Sequence, residues 1–166
     1  MLLHVLNLSV KIIIVLLISV IQVSCVRSGL GIINGLAKSS DFIVHSEIQY
    51  GSHQQNKLDT YLPKHQKARA TLLFFYGGCW GHCSQLVKNN YLFVAEALTQ
   101  QGYAVVIPDY RKYPDVNFNE IMMDARDAVL WMIKNGQEYG IENKPLFLMG
   151  HSAGAHIAAT LVTNKS

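Results

Sequence analysis

The sequence predicts an α/β domain, in which buried parallel strands alternate with helices. Two observations support this fold class. From residue 70 onward, short continuous apolar runs alternate with segments of helical periodicity, which is the pattern of buried parallel strands and their crossover helices. The last apolar run leads directly into Gly150-His151-Ser152-Ala153-Gly154, a Gly-x-Ser-x-Gly sequence typical of a sharp strand-to-helix turn.

The N-terminal region, residues 1–26, predicts an export signal or a membrane anchor. Its one formal charge, Lys11, precedes an apolar run over residues 12–21. A run of this length fits the core of a signal peptide, roughly 7–15 residues, while use of the upstream leucines as well would give a retained anchor. Cys25 stands where a bacterial lipoprotein carries its lipidated cysteine. We therefore expect an exported protein, periplasmic or membrane-anchored, with lipidation at Cys25 as one route.

Residues 27–41 contain several Gly and Ser residues and predict a tether, so the folded domain is expected over residues 42–166. It begins with a predicted antiparallel hairpin, whose strands cover residues 42–50 and 57–62 around a polar turn. Three later strands and three helices are expected in alternation: strand 71–76, helix 89–101, strand 104–108, helix 117–134, strand 146–149 and helix 153–162.

Composition and charge disfavour several classes of function. The formal net charge is +3, and the Lys and Arg residues form no basic stripe, so we expect no nucleic-acid partner. Cys79, His82 and Cys83 lack a fourth ligand at suitable spacing, so no metal site is expected. Cys79 and Cys83 are predicted either to form a short-loop disulfide or to remain free thiols. No cofactor is expected.

The candidate nucleophile is Ser152, because the flanking glycines allow the sharp turn that lifts a serine hydroxyl out of a sheet. An oxyanion formed by attack on an acyl carbonyl needs backbone N–H donors. Ala153, at the start of its helix, supplies one candidate. The glycine-rich loop after strand 71–76 supplies the others, at Gly77, Gly78 and Cys79. Trp80 in this loop and His151 beside the nucleophile are candidates for substrate contact, with packing as their alternative role.

Taken in order, these stretches resemble the α/β-hydrolase family, and within it the esterase branch with a His-Gly-Gly-x-Trp oxyanion loop, which includes kynurenine-formamidase-like, prenylcysteine-methylesterase-like and feruloyl-esterase-like proteins. The matching stretches are Leu58–Pro63, Tyr76–Trp80, Asp109–Pro114 and Gly150–His156. Tyr76 stands where that branch usually has histidine. The resemblance implies hydrolysis of a small-molecule carboxylic ester through an acyl-enzyme on Ser152. It also implies an α/β-hydrolase fold truncated after the nucleophile elbow and its helix, because the family's catalytic acid and histidine follow later in the sequence.

Three functional hypotheses follow. In the first, the chain is the N-terminal part of an exported serine esterase that lacks the triad acid and histidine. In the second, it is a catalytically inactive, membrane-tethered module that binds an acyl ligand. In the third, it is a non-functional fragment. Strand 146–149 would form an apolar sheet edge in this chain, and such an edge favours self-association.

Other ionisable residues are expected to have structural roles. His156 lies one helical turn beyond Ser152, and its spacing favours packing or capping over a role as catalytic base. Asp124 and Asp127 flank Arg126 on a predicted helix, a pattern typical of a solvated or salt-bridged face. Asp109, at a strand end, is expected to pair with Arg111 or to cap a turn.

Overall fold

A computed structural model describes residues 10–13, 29–37, 42–81, 86–141 and 145–163. The chain divides into two compact units, Met1–Leu36 and Ala37–Ser166. In the first unit, residues 10–13 and 29–36 are helical. Among the described helices, none has both the length and the apolar character that a membrane crossing requires. Cys25 and most of the predicted signal or anchor lie outside the described residues, and the assignment of residues 27–41 as a tether stays a prediction.

The second unit is built on a five-stranded mixed sheet. Its strands are β1 (Phe42–Gln49), β2 (Lys57–Pro63), β3 (Ala70–Phe75), β4 (Tyr103–Pro108) and β5 (Leu146–Gly150), in the spatial order β1-β2-β4-β3-β5. β1 and β2 form the predicted antiparallel hairpin, and β2 also pairs antiparallel with β4. β4, β3 and β5 are parallel, which confirms the predicted α/β arrangement.

Three α-helices connect or follow the parallel strands: α1 (Leu92–Gln100), α2 (Phe118–Asn135) and α3 (Ala153–Thr163). α1 packs against β4 and β2, whereas α3 packs against β5, β3 and α2. α2 begins with a reciprocal capping box, in which the Asn117 side chain accepts a hydrogen bond from Glu120 N–H and the Glu120 carboxylate accepts one from Asn117 N–H. This box fixes the first turn of α2, which borders the site described below.

The core lies in the middle of the sheet, where the side chains of β3 and β4 are enclosed; Leu73, Phe75, Val105, Val106 and Ile107 are fully buried. β5 is the terminal strand of the sheet in the described part of the chain. Its Phe147 and Met149 are 52% and 38% exposed. They pair in register with Leu72 and Phe74 of β3. The predicted apolar edge is therefore present, with one face of β5 open.

Candidate active site

The turn between β5 and α3 is a strained elbow centred on Ser152. Ser152 has φ 54°, in the left-handed region that non-glycine residues rarely occupy. A Cβ atom at Gly150 would lie 2.2 Å from the carbonyl oxygen of Gly154, and one at Gly154 would lie 2.0 Å from the carbonyl oxygen of Phe75. Both positions therefore require glycine. The two glycines permit the elbow, because they have no Cβ atom where the backbone segments approach each other most closely.

The elbow is fixed to β3 and opens to solvent. The N–H of His151 donates a 3.1 Å hydrogen bond to the carbonyl oxygen of Phe75. Ser152 itself is exposed, and its carbonyl oxygen accepts the first hydrogen bonds of α3, from Ala155 and His156. The next residue, Ala153, begins α3, and the first N–H groups of a helix have no acceptor within it. An exposed hydroxyl thus stands beside a helix N-terminus that favours negative charge.

The predicted oxyanion loop has an equally constrained backbone. Four consecutive residues have positive φ: Gly78 (132°), Cys79 (49°), Trp80 (63°) and Gly81 (111°). Cys79 is disulfide-bonded, while Cys83 and His82 lie outside the described residues. The Tyr113 N–H donates a 2.8 Å hydrogen bond to the carbonyl oxygen of Trp80. A Cβ atom at Gly81 would lie 2.2 Å from the Tyr113 carbonyl oxygen, so the two segments are in close backbone contact.

The elbow and the oxyanion loop meet at Gly77. A Cβ atom at Gly77 would lie 3.0 Å from the Cβ of Ser152 and 3.0 Å from both the carbonyl oxygen and Nδ1 of His151. The structure therefore brings Gly77, His151 and Ser152 together, with Gly78 and Cys79 next along the chain. The backbone of the loop and the candidate nucleophile are therefore in direct contact. The assignment of these residues as oxyanion donors and substrate contacts stays a prediction.

Tyr76, the residue before Gly77, anchors the oxyanion loop through buried side-chain contacts. Its ring is fully buried and stacked between the rings of Tyr91 and Tyr110, with centroid distances of 5.5 and 5.0 Å. Its hydroxyl donates a 2.6 Å hydrogen bond to Oδ1 of Asp109, and its carbonyl oxygen accepts a 2.6 Å hydrogen bond from the Tyr110 hydroxyl. Burial, and then the charge of Asp109, raises the pKa of Tyr76 well above its usual value. The hydroxyl is thus held as a donor.

An ion-pair network centred on the buried Lys88 connects Asp109 to the hairpin. The N–H of Lys88 donates a 2.8 Å hydrogen bond to the same Asp109 oxygen that Tyr76 contacts. The Lys88 ammonium, only 2% exposed, pairs with Asp59 at 3.2 Å and with Glu47. Burial lowers the pKa of Lys88, but the two carboxylates outweigh it, so the net change is upward. Hydrogen bonds from Lys88 and Lys57 lower the pKa of Glu47 to about 2.

The structure decides between the alternative roles expected for Asp124 and Asp109: Asp124 is salt-bridged, but to Arg111, and Asp109 accepts the N–H of Lys88 at the start of the turn Lys88–Tyr91. Asp124 is buried and forms a two-pronged ion pair with Arg111, at 2.9 and 2.7 Å, and does not lie on a solvated face with Arg126. Arg126 instead contacts Asp127 at the surface. Asp109 does not pair with Arg111, because the Arg111 guanidinium is engaged by Asp124; Oδ1 of Asp109 instead accepts hydrogen bonds from the Tyr76 hydroxyl and the Lys88 N–H. The sequence pattern missed these partners because each is distant along the chain.

The remaining histidine of the elbow region packs against aromatic rings. His156 contacts Trp80 and Phe118, with centroid distances of 5.4 Å to each. Within the described residues, no group of three or more His, Cys, Asp and Glu side chains is arranged to hold a metal ion. The described site places a strained, exposed serine beside the backbone of the oxyanion loop and the start of α3.

Comparison with known proteins places this geometry in context. The model of the BD-FAE family matches residues 58–166, which include both the oxyanion loop and the elbow. Isoprenylcysteine alpha-carbonyl methylesterase of Arabidopsis thaliana is 31% identical over 126 residues, covering 74% of this chain and 28% of that protein. Kynurenine formamidase of Danio rerio is 34% identical over 118 residues, covering 70% of this chain and 38% of that protein.

Solved structures agree on the fold. Esterase B from Lactobacillus rhamnosis, in an inhibited form, aligns with a TM-score of 0.71 and 24% identity, covering 87% of this chain and 48% of that one. A truncated form of a carbohydrate esterase from gut microbiota aligns with a TM-score of 0.64 and 25% identity, covering 77% and 46%. The chain spans less than half the length of each of these four proteins. The similarity confirms the fold class that the sequence predicted.

Proposed function

The chain belongs to the BD-FAE family, whose fold is that of the α/β-hydrolase esterases, and from this premise we propose that it carries the nucleophile half of a serine esterase site. In this proposal the Ser152 hydroxyl attacks the carbonyl carbon of a carboxylic ester. The negative charge that develops on the carbonyl oxygen is stabilised by backbone N–H groups of Ala153 and of the loop at Gly77, Gly78 and Cys79. The alcohol leaves, and water then hydrolyses the acyl-enzyme.

One observation supports the proposal above the others. Ser152 adopts a left-handed backbone conformation, and Gly77 approaches it so closely that a Cβ there would lie 3.0 Å from the Ser152 Cβ. Backbone strain at an exposed serine is stable only where surrounding contacts enforce it, and here His151 and two obligatory glycines do so. Strained residues of this kind cluster at active sites, so the strain at Ser152 supports a chemical role.

The proton that Ser152 loses needs a base, which we propose lies outside the described residues. The nearest histidine on α3, His156, is engaged in packing against Trp80 and Phe118. By resemblance to the family, the acid and histidine of a triad would come from a segment that follows α3 in the fold. Ser152 and the oxyanion donors would then be what the described residues contribute to the complete site.

Esterase chemistry can be tested directly on the full chain. We expect p-nitrophenyl acetate to leave an acetyl group on Ser152, detected by mass spectrometry, and to release p-nitrophenol faster than in the Ser152→Ala variant. Because an oxyanion hole and binding alone leave roughly a thousandfold acceleration over water, Ser152→Ala retains that part of the rate, and the acetyl adduct is the deciding readout. Equal rates in both proteins with no acetyl adduct would refute the proposal and favour an inactive acyl-binding module or a non-functional fragment.

We also propose that the chain is exported, with residues 1–26 serving as signal or anchor. The support is the single charge at Lys11 followed by an apolar run, and the position of Cys25. Fractionation of a bacterial host should recover the full chain outside the cytoplasm, in the periplasm or with the membranes, and deletion of residues 2–26 should return it to the cytoplasm. If Cys25→Ser leaves the membrane fraction while the parent chain stays in it, lipidation is the anchor. Recovery of the full chain from the cytoplasm would refute export.

The open face and edge of β5 suggest self-association as a further property of the chain. Phe147 and Met149 are exposed on a strand whose outer edge is unpaired in the described part of the sheet. We propose that Met149→Lys reduces association measured by analytical ultracentrifugation. An unchanged monomer in both proteins would refute this part of the proposal.

A further inference from the structure

An apolar cavity of about 360 Å³ lies beside the oxyanion loop. Its described lining residues come from four parts of the fold, which are the loop of Trp80, the loop of Tyr113, the first turns of α2, and α3; they are Trp80, Tyr113, Phe118, Ile121 and His156. The volume lies within the range of small-molecule sites, roughly 300–1,000 Å³. The cavity is large enough for one aromatic ring or one short alkyl chain.

The walls of this cavity are already assembled. The rings of Trp80, Phe118 and His156 contact one another pairwise, with centroid distances between 5.3 and 5.4 Å. The hydrogen bond from Tyr113 N–H fixes the backbone of Trp80, and the capping box fixes the first turn of α2, where Phe118 lies. A ligand entering the cavity would therefore pay little for ordering the side chains that bind it.

The cavity adjoins the candidate nucleophile. His156 lies one turn beyond Ser152 on α3, and its N–H donates to the Ser152 carbonyl oxygen at 3.3 Å. Trp80 belongs to the same short loop as Gly77, which packs against Ser152. The two segments that form the site thus also form two walls of the cavity. Ser152 is thus one helical turn from the cavity wall that His156 forms.

Among the described residues, those that line the cavity include no Lys, Arg, Asp or Glu side chain. A charged group there would meet no oppositely charged carboxylate, ammonium or guanidinium in the described lining, whereas an apolar group would gain the free energy of removal from water. We infer that this aromatic cavity binds an uncharged apolar substituent of the ester, a ring or a short alkyl chain, and so selects the substrate class. The inference rests on the proposed function for the placement of the carbonyl, but the binding itself does not require turnover.

Trp80 provides the signal for a direct test. The chain has two tryptophans, so Trp131→Phe leaves Trp80 as the single fluorophore, and Ser152→Ala in the same full-length protein prevents turnover. Methyl acetate, methyl butanoate and methyl hexanoate are titrated against Trp80 emission. We expect saturable binding whose affinity rises about fourfold for each added methylene group, because each buried methylene contributes a similar increment. Affinity that does not change with chain length would overturn the inference.

A matched pair of variants on α2 separates this cavity from general surface binding. Phe118→Asp places a charge in the cavity wall, at a residue that is 40% exposed. Met123→Asp places the same charge on the same helix, at a residue that is 51% exposed and does not line the cavity. We expect at least a tenfold loss of hexanoate affinity in the first and no change in the second, with both folded by circular dichroism. An equal response in the two variants would overturn the inference.

The two proposals fail in different ways. Chain-length-dependent binding without an acetyl adduct on Ser152 in the wild-type chain would support the cavity and refute the esterase chemistry. An acetyl adduct together with binding that ignores chain length would support the chemistry and refute the cavity as the specificity site.

Discussion

Replacing Tyr76 with phenylalanine tests whether the oxyanion loop is held by its anchor. The substitution keeps the ring between Tyr91 and Tyr110 and removes only the hydroxyl that donates to Asp109 at 2.6 Å. A hydrogen bond to a charged group contributes about 1.5–3 kcal/mol. Asp109 keeps its second bond, from Lys88 N–H at 2.8 Å, so its carboxylate is not left without a donor. We therefore expect a loss near the middle of that range, about 2 kcal/mol.

The assay is urea unfolding of the full chain, followed by circular dichroism, with thermal unfolding as a second measurement. A loss of about 2 kcal/mol corresponds to a fall in Tm of roughly 6–12 °C for a domain of this size. Tyr103→Phe is the matched control, because Tyr103 is a half-buried tyrosine on β4 whose ring lies under Arg69. A Tyr76→Phe protein within about 0.5 kcal/mol of the parent would show that stacking, and not the hydroxyl, holds the loop.

Three further predictions concern the elbow and the buried charges. Gly154→Ala should prevent stable folding of the domain, because its Cβ would lie 2.0 Å from the Phe75 carbonyl oxygen; a normal circular dichroism melt would contradict this. Asp124→Asn should cost about 3 kcal/mol in urea unfolding, because it breaks a buried ion pair with Arg111, and a loss below about 1 kcal/mol would count against that contribution. The folded-state pKa of Glu47, about 2, lies below its unfolded value, so the unfolded state binds more protons in acid. The free energy of unfolding should therefore fall from pH 5 toward pH 2, and it should fall less in Glu47→Gln.

The strands and helices could be predicted because their signals are local. The apolar runs at β3, β4 and β5 and the helical periodicity of α2 are patterns of neighbouring residues, and all of them appear in the structure near the expected bounds. The elbow was predictable for the same reason, because Gly150 and Gly154 are two residues from Ser152 on either side. The structure adds the cause, which is direct backbone contact at both glycines.

The anchor behind the oxyanion loop could not be predicted, because its partners are far apart in sequence. Tyr76 and Asp109 are separated by 33 residues, and Lys88 and Glu47 by 41. The sequence signalled only that Tyr76 replaces a histidine, and gave no partner for its hydroxyl. Lys88 gave no sequence signal, because an isolated lysine is usually solvated. Only the fold brings its ammonium between two carboxylates of the hairpin.

Backbone strain connects these observations. The described non-glycine residues with positive φ are Glu47, Cys79, Trp80 and Ser152. Each such residue costs about 1–3 kcal/mol, so the three in the oxyanion loop and elbow together cost several kcal/mol. Neighbouring contacts hold this strained backbone in place. The His151 N–H bonds the Phe75 carbonyl oxygen, the Tyr113 N–H bonds the Trp80 carbonyl oxygen, and the Tyr76 hydroxyl bonds Asp109 just before the loop begins. The fourth strained residue, Glu47, lies at the bulge of the hairpin, where its N–H donates a 2.8 Å hydrogen bond to Asp59 and its carboxylate pairs with Lys88. Lys88 in turn bonds Asp109, the partner of Tyr76, so the strained bulge is connected to the oxyanion loop.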